Sequence, residues 1–368
     1  MRILFYTPLN TKCLDIESQA NEFFKAGHQI FLLTQSELGV LHQRFSAYGY
    51  TVNAHLFSTQ YTKWLIVRRW IDLIGYCWTH RIDVLYAHLE PANFIAVLAQ
   101  YFIRGRVIIC RHHVDEAKLY GFDQDLSYRL TYRLAKEIVV VSARAKNYMA
   151  QEENVPANRI HQVKLAYDFG LYPPPNNVSI QDIRKKCFAQ VVLLTICRLT
   201  HYKRPQLSIA VVARLRVLGI DAKLIVLGRG ELTQDLLKQV TERKLEDYVM
   251  LPGYVNNVQD YLTIADFLVH PSLLESSCIS VKEAGLAQLP VVVCKGIGDF
   301  DDVIESGING FIVDPDNFVD ETVSIILKHY QEKNRLKEIG GNLYNTVLHQ
   351  FDIKNTAPYY EINFHRRK

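Results

Sequence analysis

The feature that most constrains the fold is a regular alternation of short, continuous apolar runs with amphipathic stretches, repeated in two series along 368 residues. Arg2–Thr7, Gln29–Thr34, Val84–His88, Val107–Arg111 and Glu137–Ser142 are β-branched or aliphatic runs bounded by polar or turn residues. Stretches of helical periodicity such as Ser18–Ala26 and Asn93–Phe102 lie between them. A strand with one wet face alternates apolar and polar residues, and these runs do not. Both of their faces must be covered, which is the condition of a parallel sheet between layers of helices. Tyr167–Val178 (YDFGLYPPPNNV) breaks the series, since consecutive prolines continue neither a helix nor a central strand. A second series follows. Its strands are Val191–Cys197, Lys223–Leu227, Tyr248–Leu251, Phe267–His270, Val291–Cys294 and Gly310–Val313. Its helices are Pro205–Leu218, Glu231–Lys244, Val258–Ala265, Ile279–Ala287 and Val319–Leu348. The expected fold class is α/β, with two doubly wound Rossmann-like domains facing across a cleft at their strand carboxyl ends.

Composition narrows the function classes. With 49 % apolar and 22 % charged residues, the chain can build two cores and is neither disordered nor a coiled coil. No apolar run approaches the roughly 18 residues of a spanning helix, and the apolar start around Ile3–Tyr6 is too short for a signal peptide. Seven cysteines without a CxxC pair fit buried free thiols in a reducing cytoplasm better than a zinc site. The formal charge of +4 lies wholly in the first part: residues 1–170 hold 19 Lys/Arg against 15 Asp/Glu (19 − 15 = +4), and the remainder 23 against 23. That surplus argues against nucleic acid and suits a half that meets an anionic partner or membrane surface. Lys63–Trp78 reads as a helix in which Trp64, Val67, Ile71, Ile74 and Trp78 recur on one side. Packing of that stripe on its own sheet is the expectation, with an interfacial helix and the basic tail Arg366-Arg367-Lys368 as the alternative.

Three clusters carry chemistry. In HPSLLESSCISVKEAG a strand ends at His270, Glu275 lies in the following loop, and a helix begins near Ser277 with Glu283 about two turns inside. Ser276, Ser277, Cys278 and Ile279 then stand at a helix start, where hydroxyl or backbone N–H groups can meet an anion. The competing reading is a capped surface helix with solvated glutamates. In TICRLTHYKRP, Arg198 and Lys203 flank a loop at a strand's carboxyl end, where a guanidinium and an ammonium suit a pyrophosphate or simply face water. In VIICRHHVDE, His112 and His113 follow another strand, and a hydrogen-bonding or acid/base histidine is the better reading than a metal ligand. Gly298-Asp299-Phe300-Asp301-Asp302 precedes a helix, where acids cap, so no metal is assigned there either.

These segments, in this order, resemble the retaining nucleotide-sugar glycosyltransferases of glycosyltransferase family four (glycosyl transferases group 1), whose fold is the two-domain GT-B type. The acid–seven–acid pair Glu275/Glu283 and CRLTHYKRPQL carry the resemblance, supported by LIVLGRGEL, LPGYVNNVQDYLTIADFLVHPS and VIESGINGFIVDPDN. IICRHHVDE, IVVVSARAKNYM and AYDFGLY fit more loosely. The resemblance implies an acceptor-side domain at 1–172, a linker at 173–187, a nucleotide-sugar domain at 188–345 and a segment at 346–368 that packs back toward the first domain. It assigns Glu283 to the donor ribose, Glu275 to the donor sugar, and Arg198 and Lys203 to the diphosphate. Gly228, Arg229 and Gly230, with Gly253, Tyr254 and Val255, approach the base, and His112 or His113 approaches the reacting sugar. A UDP-sugar or GDP-sugar donor, no metal or further cofactor, and a saccharide or lipid-linked acceptor follow from it. The setting would be bacterial surface polysaccharide, lipopolysaccharide or glycolipid synthesis, in the cytoplasm or at the inner face of the membrane. Two departures stand out. The first loop, Pro8–Cys13, has no glycine, so that Asn10, Thr11 or Lys12 supplies side-chain contacts instead or the loop is built differently, and Ser276-Ser277-Cys278 replaces a glycine–aromatic–glycine turn. A sugar-nucleotide epimerase of the same architecture and an inactive sugar-nucleotide-binding scaffold are the alternatives, and the absence of GxGxxG after the first strand argues against an NAD enzyme.

Overall fold

A computed structural model describes residues 1–54, 63–112 and 126–355. The chain divides into two compact units. One is Met1–Phe169 with the chain from Phe351 on, and the other is Gly170–Gln350.

The first unit holds the strands β1 Arg2–Thr7, β2 Gln29–Thr34, β3 Thr51–Ala54, β4 Val84–His88, β5 Arg106–Arg111, β6 Ile138–Val140 and β7 Ile160–Gln162. They form one sheet in the order β3-β2-β1-β4-β5-β6-β7, every neighbour parallel. The second unit holds β8 Val191–Ile196, β9 Ala222–Leu227, β10 Val249–Gly253, β11 Phe267–His270, β12 Val291–Cys294 and β13 Phe311–Val313. Their order is β10-β9-β8-β11-β12-β13, again parallel throughout. In each sheet the chain builds outward one way and then reverses, at β1/β4 and at β8/β11. Such a reversal separates the loops above adjacent strands and opens a crevice at their carboxyl ends. The central strands β1, β4, β8, β11 and β12 are buried almost along their whole length, as their unbroken apolar runs require.

Several expectations are revised. Residues 173–187 are not a free linker: Asn177–Lys186 is a helix of the second unit. The Asn176 side chain caps it by accepting from the backbone N–H of Val178 and Ser179, and Arg184, Lys185 and Lys186 suit the dipole of its last turn. The Asn176 N–H donates to Asp260 at 2.7 Å, and Asn257 donates to Ser179 at 2.9 Å, tying this helix to Val258–Ile264. The long stretch 319–348 is two helices, Phe318–His329 and Lys333–Phe351. In the first unit Tyr167 donates to the Phe351 carbonyl and accepts from the Ile353 N–H, so residues 351–353 run beside it.

The helix Lys63–Thr79 corrects another expectation. Its buried side is Leu65, Arg69, Leu73 and Cys77, with Ile66, Trp70 and Ile74 packed partly against the core. Trp64, Val67, Ile71 and Trp78 point outward and are each at least half exposed. The helix is apolar on both sides, so periodicity alone could not tell which stripe meets the sheet.

Adjacent glycines in Lys333–Phe351 make a paired test of packing. A Cβ at Gly340 would lie 1.8 Å from the Gln288 carbonyl oxygen, whereas one at Gly341 meets nothing within 4 Å. Gly340→Ala is expected to destabilise the protein by about 1–3 kcal/mol through a backbone clash. Gly341→Ala is expected to stabilise it by about 0.5–1 kcal/mol through helix propensity. Urea midpoints of the two variants check the opposite signs.

Candidate functional site

In the second unit the candidate residues gather above β8, β9 and β11. Beyond β8 the backbone keeps pairing with the neighbouring loop: Cys197 N–H donates to Leu227 O and Leu199 N–H to Arg229 O, both at 3.1 Å. The glycines of Gly228-Arg229-Gly230 are explained by this approach. A Cβ on Gly228, at φ +133°, would lie 1.9 Å from the Cys197 carbonyl oxygen, and one on Gly230 would lie 2.2 Å from that of Leu199. Gly228 N–H donates to Gly253 O at 2.9 Å, which sets the turn Gly253-Tyr254-Val255 beside the same loop. Tyr254 and Arg198 are exposed there, and Val255 is half-buried.

Past Arg198 the chain makes a short helical turn, His201–Lys203, and Arg204 adopts left-handed φ +49° before the helix Pro205–Val217. Arg204 was not singled out from the sequence. Its guanidinium donates to the carbonyls of Pro271 and Pro315, at 2.8 and 2.9 Å, and to the Cys294 sulfur at 3.4 Å. It thereby joins the loops that follow β8, β11 and β13. Its neighbour Lys203 is aimed at the candidate acid: Nζ donates to Leu274 O at 3.0 Å and to Glu275 Oε1 at 2.5 Å.

Glu275 is buried, and the same Oε1 lies 2.5 Å from His270 Nε2. Burial would raise the Glu275 pKa, but His270 and then Lys203 outweigh it and hold the carboxyl at about 2. Burial would likewise lower the pKa of His270, but the Cys278 sulfur, 3.5 Å away, and Glu275 lift it to about 10. The unit therefore contains a buried carboxylate held between an imidazolium and an ammonium. A Cβ on Gly298, at φ +58°, would stand 2.8 Å from Glu275 Cβ, so the loop after β12 presses directly on the acid.

The helix following Glu275 starts at Ile279, as the second series of elements has it and two residues past the start read near Ser277, and Glu283 lies little more than one turn inside it, half-buried. Ser276, Ser277 and Cys278 are buried and Ile279 half-buried. The Ser277 hydroxyl is directed to Asp299 at 2.8 Å, and the fully buried Lys282 ammonium reaches the same carboxylate oxygen at 2.6 Å. Asp299 thus completes an internal ion pair, while Ser280 donates to the Ile196 carbonyl at the end of β8. Sequence spacing missed Lys282, because no pattern marks a lysine on a buried helix face, and read Asp299 only as a helix cap, whereas its side chain makes no capping hydrogen bond and pairs with Lys282 instead.

In the first unit, Asn10 is occupied by its own loop. Its Nδ2 donates to Glu37 O at 3.1 Å, its carbonyl accepts from Leu41 N–H at 3.0 Å, and a Cβ on Gly39 would lie 2.4 Å from that carbonyl oxygen. Thr11 is exposed. The glycine-free turn is therefore built by docking on residues 36–41. His112 Nε2 lies 3.2 Å from His88 Nδ1. Burial lowers the pKa of both rings. His112 lowers that of His88 further, and Asp15 partly opposes the shift at His112. Two neutral imidazoles therefore share a proton site at neutral pH. His113 lies outside the described residues. His88 was not selected from the sequence, although the parallel register pairs it with Cys110, two residues before His112 and on the same face.

Among the described residues, two groups bring possible metal-ligand atoms within 4.8 Å of one another: His88, Cys110 and His112 in one unit, and His270, Glu275 and Cys278 in the other. In both, internal hydrogen bonds already link members of the group.

Comparison with known proteins identifies the family. Residues 16–169 match the model of Glycosyltransferase Family 4, and residues 181–345 match that of Glycosyl transferases group 1. N-acetyl-alpha-D-glucosaminyl L-malate synthase of Bacillus anthracis is 23 % identical over 288 residues, 76 % of this chain and 74 % of that protein. The N-acetylgalactosamine-N,N'-diacetylbacillosaminyl-diphospho-undecaprenol 4-alpha-N-acetylgalactosaminyltransferase of Campylobacter jejuni is 23 % identical over 281 residues, 74 % of this chain and 73 % of its own. Among solved structures, HepE of Anabaena in complex with UDP and glucose superimposes with a TM-score of 0.83 at 17 % identity, covering 99 % of both chains. With two parallel-sheet Rossmann-like units, and the two family models matched in tandem along most of its length, the chain belongs to the family 4 (group 1) glycosyltransferases of GT-B fold.

Proposed function

We propose that the protein is a retaining, metal-independent glycosyltransferase that moves a sugar from a nucleoside diphosphate donor to an acceptor hydroxyl in surface-glycan or glycolipid assembly. The observation that carries this reading is the buried Glu275 carboxylate, held by His270 and Lys203 beside the loop that presents Arg198. A carboxylate kept charged can accept hydrogen bonds from donor-sugar hydroxyls. Rupture of the anomeric bond leaves new negative charge on the diphosphate, and fixed cations at that place lower the barrier most. Arg198 and Lys203 fill this role, with Lys203 exchanging part of its contact with Glu275 for phosphate oxygen. Glu283 holds the ribose, and the glycine loops Gly228–Gly230 and Gly253–Val255 flank the base. The departing phosphate accepts the acceptor proton on the same face of the sugar, so no separate base is assigned. Glu275 and Glu283 are thus not the acid/base pair of a glycosidase. Neutral His112 can hydrogen-bond the sugar without adding charge near an oxocarbenium-like centre.

UDP is the favoured nucleotide, because similar folds have been solved with UDP and UDP-glucose. A membrane-borne acceptor is favoured because relatives in Campylobacter jejuni and Escherichia coli are named for diphospho-undecaprenol acceptors. That would place the work at the cytoplasmic face of a membrane. The epimerase and scaffold alternatives are not favoured by any of these likenesses.

The first test is incubation with UDP-sugars and a saccharide or polyprenyl-diphosphate acceptor, with the anomeric configuration of the product read by NMR. An α-linked product from an α-linked donor is expected with or without EDTA. Inversion would overturn the retaining assignment, and strict dependence on magnesium the metal-free one. Arg198→Ala and Lys203→Ala should each lower turnover by about 10²–10³-fold. Glu283→Gln should act chiefly on binding, weakening donor affinity by about tenfold in calorimetry.

Thermal stability should follow the buried triad. Glu275 has a folded pKa near 2, below its ordinary 4.5, so its contribution is present above pH 4.5 and is lost as pH falls through 2. His270 is raised from 6.5 to about 10, so its contribution is full below 6.5 and is lost as pH rises through 10. The plateau lies between. Tm against pH should lose part of its acid limb in Glu275→Gln and part of its alkaline limb in His270→Asn. Unchanged limbs in both variants would show that the triad is not ionised as described.

A further inference from the structure

We propose that the outward face of the helix Lys63–Thr79, with residues 101–104 beside it, is a docking surface for an anionic phospholipid bilayer. This names the surface by which a membrane-borne acceptor, as proposed above, would be met, and to that extent it rests on that reading.

Trp64, Val67, Ile71 and Trp78 are spaced by three, four and seven residues, which puts them on one side of a helix. All four lie between 50 and 66 % exposed, although the opposite stripe of the same helix is packed into the core. The apolar surface continues past the helix. Trp78 Nε1 donates to the Phe102 carbonyl at 2.9 Å, and Tyr101 and Phe102 are themselves 59 and 53 % exposed. Scattered exposed apolar residues need no explanation, but a contiguous, aromatic-rich strip marks a contact surface.

The charges around the strip select the partner. Arg68 stands over the Trp64 ring at 5.6 Å, Arg104 over Trp78 at 4.8 Å and Lys136 over Tyr101 at 4.9 Å. Each aromatic body therefore carries a cation at its side. That combination suits the bilayer interface, where rings sit at the acyl boundary while guanidinium and ammonium groups meet lipid phosphate. Asp72 is the single acid of this helix, and it lies 3.9 Å from Arg68. A second copy of the chain fits less well. A two-fold contact would set this cationic surface against its own image. The 17-residue helix spans about 25 Å, and no described helix is long and apolar enough to cross a membrane, so it would lie in the plane of the interface.

The chain's three tryptophans are Trp64, Trp70 and Trp78, so its tryptophan emission reports on this helix alone. Full-length protein is mixed with phosphatidylcholine vesicles containing or lacking phosphatidylglycerol, and flotation, emission and quenching by brominated lipid are recorded. Flotation, a blue shift and quenching with the anionic vesicles are expected. Arg68→Glu combined with Arg104→Glu should weaken binding at least tenfold. Trp64→Ser combined with Ile71→Ser should abolish flotation while the thermal midpoint holds, since both side chains are more than half exposed. Absence of flotation, or equal flotation of these variants, would overturn the proposal. So would a concentration-dependent dimer in sedimentation that shifts the emission without lipid. Transfer to a water-soluble acceptor is measured in parallel. Failed flotation with intact transfer removes the docking surface alone, whereas anionic-vesicle binding without any transfer removes the glycosyltransferase reading and leaves the surface standing.

Discussion

Glu275 stays ionised inside the second unit because two cations converge on one of its oxygens, and the loops around it depend on that arrangement. A carboxylate taken out of water without partners would cost far more than a folded domain can supply, and would protonate instead. Here His270, at the end of β11, and Lys203, at the end of the turn after β8, both reach Oε1. Holding them in place requires the two strand ends to be in register. Arg204 supplies that tie by binding the Pro271 carbonyl, and Tyr202 O adds to it by accepting from Leu273 N–H. The adjoining helix is anchored by a second internal pair, Lys282 with Asp299, so the loop after β12 is fixed on one side by Asp299 and on the other by Gly298 against Glu275. One charge thus organises three loops that belong to different strands.

The parallel architecture was legible because a sheet covered on both faces needs unbroken apolar strands, and β1, β2, β4, β5, β6 and the second sheet carry them. β3 and β7 escaped for the same reason. Thr51–Ala54 is half exposed and Ile160–Gln162 is three residues long, so neither offers an apolar run. Glu275, Arg198 and Lys203 could be picked out because they follow strands directly in sequence. His88 and Lys282 could not, and Asp299 could be read only as a cap. Each acquires its meaning from a neighbour on another element: Cys110 across a strand pair, or Asp299 across a helix and a loop. The tryptophan helix shows a third limit. Its two apolar stripes are indistinguishable by period, and only packing decides that Leu73 faces inward and Ile71 outward.

The departures from the family's glycine-rich turns also acquire a physical account. A glycine turn lets the backbone approach a ligand or another loop without a side chain in the way. In the first unit the turn after β1 reaches a defined shape by other means: the Asn10 amide and carbonyl are both bound to residues 37–41, and it is Gly39, in the partner loop, that has no room for a Cβ. The requirement for a small residue has moved from one loop to the one it touches. At Ser276-Ser277-Cys278 the hydroxyl of Ser277 and the sulfur of Cys278 point inward, to Asp299 and His270. These inward contacts hold the segment before the helix in place through side chains that a glycine–aromatic–glycine turn does not have.

The two units use opposite electrostatic means at their strand ends. The second concentrates fixed ions, Glu275 with His270 and Lys203, in a place shielded from water where their fields are little screened. The first keeps His88 and His112 neutral, since burial disfavours the imidazolium in both and His112 further discourages charge on His88. In the reaction proposed above, permanent cations suit a leaving diphosphate, and neighbours that hydrogen-bond without being positive suit a sugar on its way to an oxocarbenium. Building the two environments on separate sheets lets the burial and charges of each unit fix its own pKa values.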